Sequence, residues 1–224
     1  MKKLFIPALL GTTLLLTACS FTLRGKITDI ATGNAVENAT VSVDLGEGRD
    51  PRTAKTNAEG NYRIKKDDRP QDVTYTADGF ESFTVSLNKE KVKNTYLIPS
   101  PQETARRIVE SLRNEDMDLT YGYLHPNYQS LFTLDRYKEL NQDFVAFLKS
   151  FGEYRIAEVT SLESYKDDQL NKVYTDVRVV TVVLVNTTDG SRETYWRVYL
   201  QLMEDQGGKT FYHWLFNRTT TGAL

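Results

Sequence analysis

Proton transfer is the chemistry for which this chain carries the most suitable side chains, and it carries few of them. His125 and His213 are its only histidines, and imidazole is the side chain whose ordinary pKa lies near neutrality. Asp176 is the third candidate general base, with Tyr123, Tyr128, Tyr174 and Arg178 as polar companions. Each has a plainer reading. His125 precedes Pro126 at a helix end, where a loop side chain bonds backbone. Asp176 alternates with Tyr174 and Arg178, as an ion pair on a solvated strand face would. His213 lies between Phe211 and Leu215 in an aromatic strand, the setting of a packed core histidine. Tyr174, Asp176 and His213 are the set that a ligand pocket would use. Two histidines far apart in sequence, without clustered carboxylates, offer no zinc site. Neither a glycine-rich phosphate loop nor a nucleophile elbow occurs, so nucleotide hydrolysis and serine esterase chemistry have no basis. No catalytic residue, metal or cofactor is assigned, and the chain is expected not to be an enzyme; a lyase or isomerase pocket is the alternative.

The single cysteine, Cys19, has a different use. It follows Leu16-Thr17-Ala18, behind an apolar run from Leu4 to Leu16 and the positive start Lys2-Lys3, which are the parts of an export signal. The run is too short for a spanning helix, which needs about 20 apolar residues, and Pro7 and Gly11 weaken it further. Leu16-Thr17-Ala18-Cys19 resembles the lipobox of bacterial lipoproteins. The resemblance implies removal of residues 1–18 and acylation of Cys19. Two or more acyl chains hold a protein stably at a membrane. Ser20 in place of Asp after the cysteine resembles the outer-membrane sorting signal, if the source is Gram-negative. The expected location is therefore the bacterial cell envelope, with the membrane as partner through lipid.

Taking Lys2 and Lys3 from 28 cations leaves 26 against 30 anions, so nucleic acid is not an expected partner. With its only thiol acylated, the mature chain has no disulfide and must be held by packing.

Two domains are expected after the signal. From Phe21 to Ile98 short strands alternate with turns at Ala31-Thr32-Gly33-Asn34, Asn57-Ala58-Glu59-Gly60-Asn61 and Ala77-Asp78-Gly79-Phe80, the spacing of a small all-β sandwich. Leu45 to Arg52 departs from the pattern and reads as a mobile loop; Lys65-Lys66-Asp67-Asp68 reads as a solvated turn. Gly25-Lys26-Ile27-Thr28-Asp29, Val36 to Val41, Thr56 to Tyr62 and Tyr75 to Phe80, in that order, resemble the bacterial carboxypeptidase-regulatory-like, or transthyretin-like, Greek-key domain. That family implies an accessory or interaction module and no catalytic motif. The domain is set at residues 19–98.

Pro99 and Pro101 end the last strand. Ser100 can cap a helix with Pro101 at its first position and Glu103 closing a capping box. Ala105, Ile108, Val109 and Leu112 share a face of it. A short helix runs from about Met117 to Leu124, and a third from Thr133 to Gly152 carries Leu134, Tyr137, Leu140, Phe144, Phe147, Leu148 and Phe151. Strands follow: Val173 to Val185, Glu193 to Met203 and Thr210 to Asn217, with hairpins at Asn186 to Gly190 and Glu204 to Gly208. Helices packed on a curved antiparallel sheet make residues 99–224 an α+β domain. This order resembles the nuclear-transport-factor-2-like cone fold, which implies a pocket that related isomerases and dehydratases use with a buried Asp or His. Trp196 and Trp214 read as core on their strands, or alternatively as a sugar-stacking surface. The function expected is non-enzymatic binding or scaffolding of an envelope protein or glycan. A small-ligand carrier or sensor using the cone pocket is the alternative.

Overall fold

The computed structural model describes residues 20–186, 193–218 and 220–222. Cys19 and most of the hairpin expected at Asn186 to Gly190 lie outside these residues. Seven strands come first: β1 (Ser20–Asp29), β2 (Thr40–Val43), β3 (Arg52–Lys55), β4 (Asn61–Asp67), β5 (Gln71–Thr76), β6 (Phe83–Leu87) and β7 (Thr95–Leu97). They form two facing sheets, ordered β4-β1-β7 and β3-β2-β5-β6. Pairing is antiparallel except between β1 and β7, which run parallel. Leu23, Ile27, Ala39, Val41, Val43, Tyr62, Ile64, Val73 and Tyr75 fill the space between them. These positions alternate along their strands, so each strand gives one face to the core. Gly60, at φ 77°, makes the turn into β4; a Cβ there would lie 2.4 Å from the Ile27 carbonyl oxygen.

One expectation for this domain fails in part. Lys66 and Asp67 are buried rather than solvated. The Lys66 ammonium donates to the carbonyls of Asp67 (2.8 Å) and Asn88, which satisfies a buried cation that could not otherwise stay inside. Asp67 faces Arg49 and Arg52 at 3.6 and 3.3 Å. Leu45 joins the core and Arg49 donates to its carbonyl, while residues 46–51 of the loop are exposed.

The second part opens with four helices, α1 (Pro101–Arg113), α2 (Met117–Tyr123), α3 (Pro126–Gln129) and α4 (Leu134–Lys149). They are followed by the strands β8 (Glu153–Asp167), β9 (Lys172–Val185), β10 (Glu193–Glu204), β11 (Thr210–Leu215) and β12 (Thr220–Gly222). The sheet is antiparallel, ordered β11-β10-β9-β8, with β12 also pairing β10. Ser100 caps α1, its hydroxyl accepting from the Glu103 N–H at 3.2 Å. The reciprocal half of the capping box is not made. The Ser100 N–H donates to the Gly79 carbonyl, and the Glu103 carboxylate is taken by Arg106 and Arg107. Ile108, Leu112, Tyr137, Phe144 and Leu148 of the helices pack on Val180, Val182, Leu184, Trp196, Val198, Leu200 and Trp214 of the sheet. Both tryptophans are fully buried. Each large apolar side chain so enclosed contributes about 1.5–3 kcal/mol. No helix among the described residues is long and apolar enough to cross a membrane.

Candidate functional site

The expected set Tyr174, Asp176 and His213 is brought together only in part. Asp176 has φ 55°, a left-handed conformation that Asp tolerates better than most residues. The strand turns there, so alternation breaks: Tyr174 and Val177 are both buried while Thr175 and Asp176 between them are exposed. Asp176 therefore leaves the face of Tyr174 and stays in solvent. Arg178 also departs from the expected common face, donating instead to the Ser161 hydroxyl across the strand pair at 2.8 Å.

The other two candidates meet His125. Its ring centroid is 5.0 Å from that of Tyr174 and 6.4 Å from that of His213. Backbone pairing sets this geometry: the His125 N–H donates to the Trp214 carbonyl at 2.9 Å, which draws the chain between α2 and α3 alongside β11. His125 then caps α3, its Nδ1 accepting from the Asn127 N–H at 3.1 Å. An accepting Nδ1 leaves the proton on Nε2 in the neutral ring. The Asn127 side-chain amide donates to the Tyr174 hydroxyl at 3.0 Å. Beside it the Tyr128 hydroxyl donates to Asp167, whose other oxygen accepts the N–H groups of Gln169 and Leu170 at 2.9 and 3.1 Å. The β8–β9 hairpin thus curls back over the sheet, and Tyr165 stacks on Tyr199 with centroids 4.4 Å apart. Beneath the hairpin lie Val177, Val179 and Leu215.

This cluster is built as packing. His213 is 2% exposed, its ring centroid lies 4.1 Å from that of Phe211, and among the described residues neither ring nitrogen has a well-aligned hydrogen-bond partner, the Leu124 backbone beside it only opposing the shift of its pKa. Burial, then the neighbouring His125, pushes its pKa down to about 4. Burial also lowers that of His125, with Gln201 beside its ring opposing the shift. Both rings are accordingly neutral at pH 7. Burial raises the Tyr128 hydroxyl, and the adjoining Asp167 carboxylate raises it further. Asp167 is occupied by three donors, so its lone pairs are engaged. Tyr123, the remaining companion, lies elsewhere and receives a 3.1 Å hydrogen bond from Arg107. Among the described residues no group of three His, Cys, Asp or Glu side chains is placed to hold a metal.

A second polar assembly joins the two parts of the chain, and its long-range half has no local signal in the sequence. Arg107 of α1 donates to Asp29, at the end of β1, at 2.5 Å and to Glu103 at 2.7 Å. Its guanidinium stands 5.5 Å from the centre of the Phe80 ring. Arg106 extends the chain of charge to Glu110 at 2.6 Å, and the Tyr154 hydroxyl of β8 donates to Glu110 at 2.9 Å. Burial raises the Glu103 pKa, but the hydrogen bonds from Arg106 and Arg107 outweigh it and hold the carboxyl below its usual value. Ile30, Ala31 and Ile98 pack against the helix-and-sheet core beside this network. The i, i+4 spacing of Glu103 and Arg107 was the only local signal; Asp29 is distant in sequence.

Solved structures similar to the chain include a DUF3823 family protein from Parabacteroides merdae, at 13% identity and a TM-score of 0.29, covering 92% of this chain and 80% of that one. A proposed carbohydrate binding protein from Bacteroides uniformis matches at 13% identity and a TM-score of 0.29, covering 90% and 76%. A mutant catechol 1,2 dioxygenase of Acinetobacter radioresistens matches at 15% identity and a TM-score of 0.31, covering 39% of this chain. The chain spans about half of that dioxygenase, 54% of its length. At such identities and scores none of these likenesses bears on what the chain does. No curated protein matches it. Residues 22–97, about a third of the chain, match the family of the Carboxypeptidase regulatory-like domain, and they span the β1 to β7 sandwich.

Proposed function

We propose that the chain is a lipid-anchored cell-envelope protein that binds a partner, protein or glycan, without transforming it. Acylation of Cys19 would tether it, and β1 begins at the next residue, Ser20, so the sandwich would stand at the membrane. In a Gram-negative source, Ser20 favours the outer membrane as the address. For the helix-and-sheet part we propose a nuclear-transport-factor-2-like cone, on the strength of helices covering one face of a sheet whose β8–β9 hairpin curls over the other.

The observation that carries the non-enzymatic reading is the separation of Asp176, in solvent, from a sealed and neutral His213. A general base needs both reach to its substrate and a pKa near the working pH, and neither residue combines them. The carrier reading draws on a different feature, a cavity of about 500 Å³ between α2 and α4 lined by Met117, Lys138, Gln142 and Val145.

Crosslinking in intact envelopes compares wild type with His213→Leu and Asp176→Asn. The same crosslinked partner in all three fits binding through surface contacts. Loss of the partner's product or turnover on either substitution would sink the non-enzymatic reading. A small molecule retained by the purified chain in native mass spectrometry would favour the carrier.

A further inference from the structure

Arg24 of β1 and Arg63 of β4 stand directly opposite each other in the antiparallel ladder, and both are exposed. Side chains so placed have Cβ atoms about 4.5–5.5 Å apart, and like charges there repel. Nothing local relieves them: neither arginine has an ion-pair partner among the described residues. The same outward face carries Lys26, two residues along β1, and the segment before β7 adds Lys91. These four cations line one cavity of about 560 Å³, with Asn61 and Asn94 on its wall and no carboxylate in its lining.

The wall is fixed by backbone. The Arg24 N–H donates to the Lys91 carbonyl at 3.0 Å, and the Lys93 N–H to the Arg24 carbonyl at 2.9 Å. The Lys26 N–H donates to the Asn94 side-chain oxygen at 3.0 Å. This close approach needs Gly25, where a Cβ would fall 1.8 Å from the Lys93 carbonyl oxygen. The Tyr62 hydroxyl donates to that same carbonyl at 2.7 Å. The cavity is thus a built feature of the sandwich, and it holds two arginines in a repulsive register within a chain of net negative charge.

We propose that this cavity binds a phosphate ester, clamped between Arg24 and Arg63, with Lys26 and Lys91 completing the charge. Guanidinium forks match phosphate oxygens bidentately. The volume exceeds that of phosphate alone and suits a phosphate attached to a hydroxylated group, to which Asn61 and Asn94 offer amides. Such a group occurs in an anionic lipid headgroup and in a soluble phosphorylated polyol or sugar. The site does not depend on acylation of Cys19.

The test uses the full chain carrying Cys19→Ser, so that no acyl chain contributes to binding. Two probes are titrated: sn-glycerol 3-phosphate in solution, and phosphatidylglycerol vesicles measured against phosphatidylcholine vesicles. Arg24→Gln and Arg63→Gln are each expected to weaken binding tenfold or more, while Lys55→Gln, on the opposite sheet, leaves it within twofold. Binding of the soluble ester with that pattern supports the site with a soluble source. Binding of phosphatidylglycerol vesicles alone, with the same pattern, supports it with a headgroup source. Without phosphate, Arg63→Gln should melt no lower than the parent chain, since it removes a repulsion. Failure to bind either probe, or equal weakening by all three substitutions, overturns the proposal. Membrane release of the Cys19→Ser chain is a separate readout, so failure of the lipid anchor and failure of this site are distinguishable.

Discussion

Arg107 reaches from α1 to Asp29 at the end of β1, with 2.5 Å between Nη1 and Oδ2 and with the two side chains only 15% and 5% exposed. Asp29 also accepts from the Ala31 N–H at 2.9 Å and the Thr32 hydroxyl at 3.0 Å. The pair therefore ties the last turn of the first long strand to the first helix of the second part.

Removing one partner of such a pair leaves the other charge buried and unmatched, which costs about 3–5 kcal/mol. Arg107→Met is expected to destabilise the chain by that amount and to split one calorimetric transition into two, as the sandwich and the helix-and-sheet part lose their link. Asp29→Asn with Arg107→Met should cost less than the sum of the two singles. Additive losses in a double-mutant cycle would mean that the contact contributes nothing of its own.

The same network has an acid limit. Glu103 has its pKa held below the ordinary 4.5 by Arg106 and Arg107. A depressed carboxylate contributes stability that is complete above its unfolded pKa and lost as pH falls through the folded value. Coupling between the two parts should persist at pH 5 and weaken below about pH 4. Glu103→Gln should remove that dependence, as read by chemical denaturation across pH 3 to 6.

The histidine cluster acts in a higher window. His213, with its pKa lowered from 6.5 to about 4, favours the neutral fold. Its contribution is therefore full above pH 6.5 and declines as pH falls from 6.5 to 4, by about 3 kcal/mol in all. His213→Phe should flatten the stability curve between these values. An unchanged slope in that variant would show that the ring is not held neutral by burial.

Gly25 has no room for a methyl group, because a Cβ would meet both the Lys93 carbonyl oxygen at 1.8 Å and the Tyr62 ring at 2.9 Å. Gly25→Ala is expected to cost about 1–3 kcal/mol or more and to part the segment 91–94 from β1. Loss of slow hydrogen exchange at the Lys93 amide would report that separation.

What was legible in the sequence was periodic. Short strands separated by turn residues marked the sandwich between Phe21 and Ile98, and the face of Ala105, Ile108, Val109 and Leu112 marked α1. The Ser100 cap could be read for the same reason, because its bond spans three residues. Contacts between residues far apart could not. Lys66 and Asp67 look like a solvated charge run until Asn88, Arg49 and Arg52 are brought to them by the fold. Asp176 looked like the next member of an alternating face, since no residue type announces a left-handed φ at a non-glycine position. His125 read as a loop residue bonding backbone, which its place as the cap of α3 matches. That it would lie beside His213 and Tyr174 depended on strand pairing at Trp214, which local pattern does not encode.

In the proposed function Cys19 tethers the chain to a membrane while its folded parts do the binding. Cells producing wild type or Cys19→Ser are grown with an alkyne fatty acid and separated into membrane and soluble fractions. Label and membrane retention are expected for wild type, and neither for Cys19→Ser, whose folded parts are expected to keep the circular dichroism and melting of the native protein because β1 begins after position 19. Membrane retention of Cys19→Ser at the wild-type level, or wild-type protein without label, would contradict that reading.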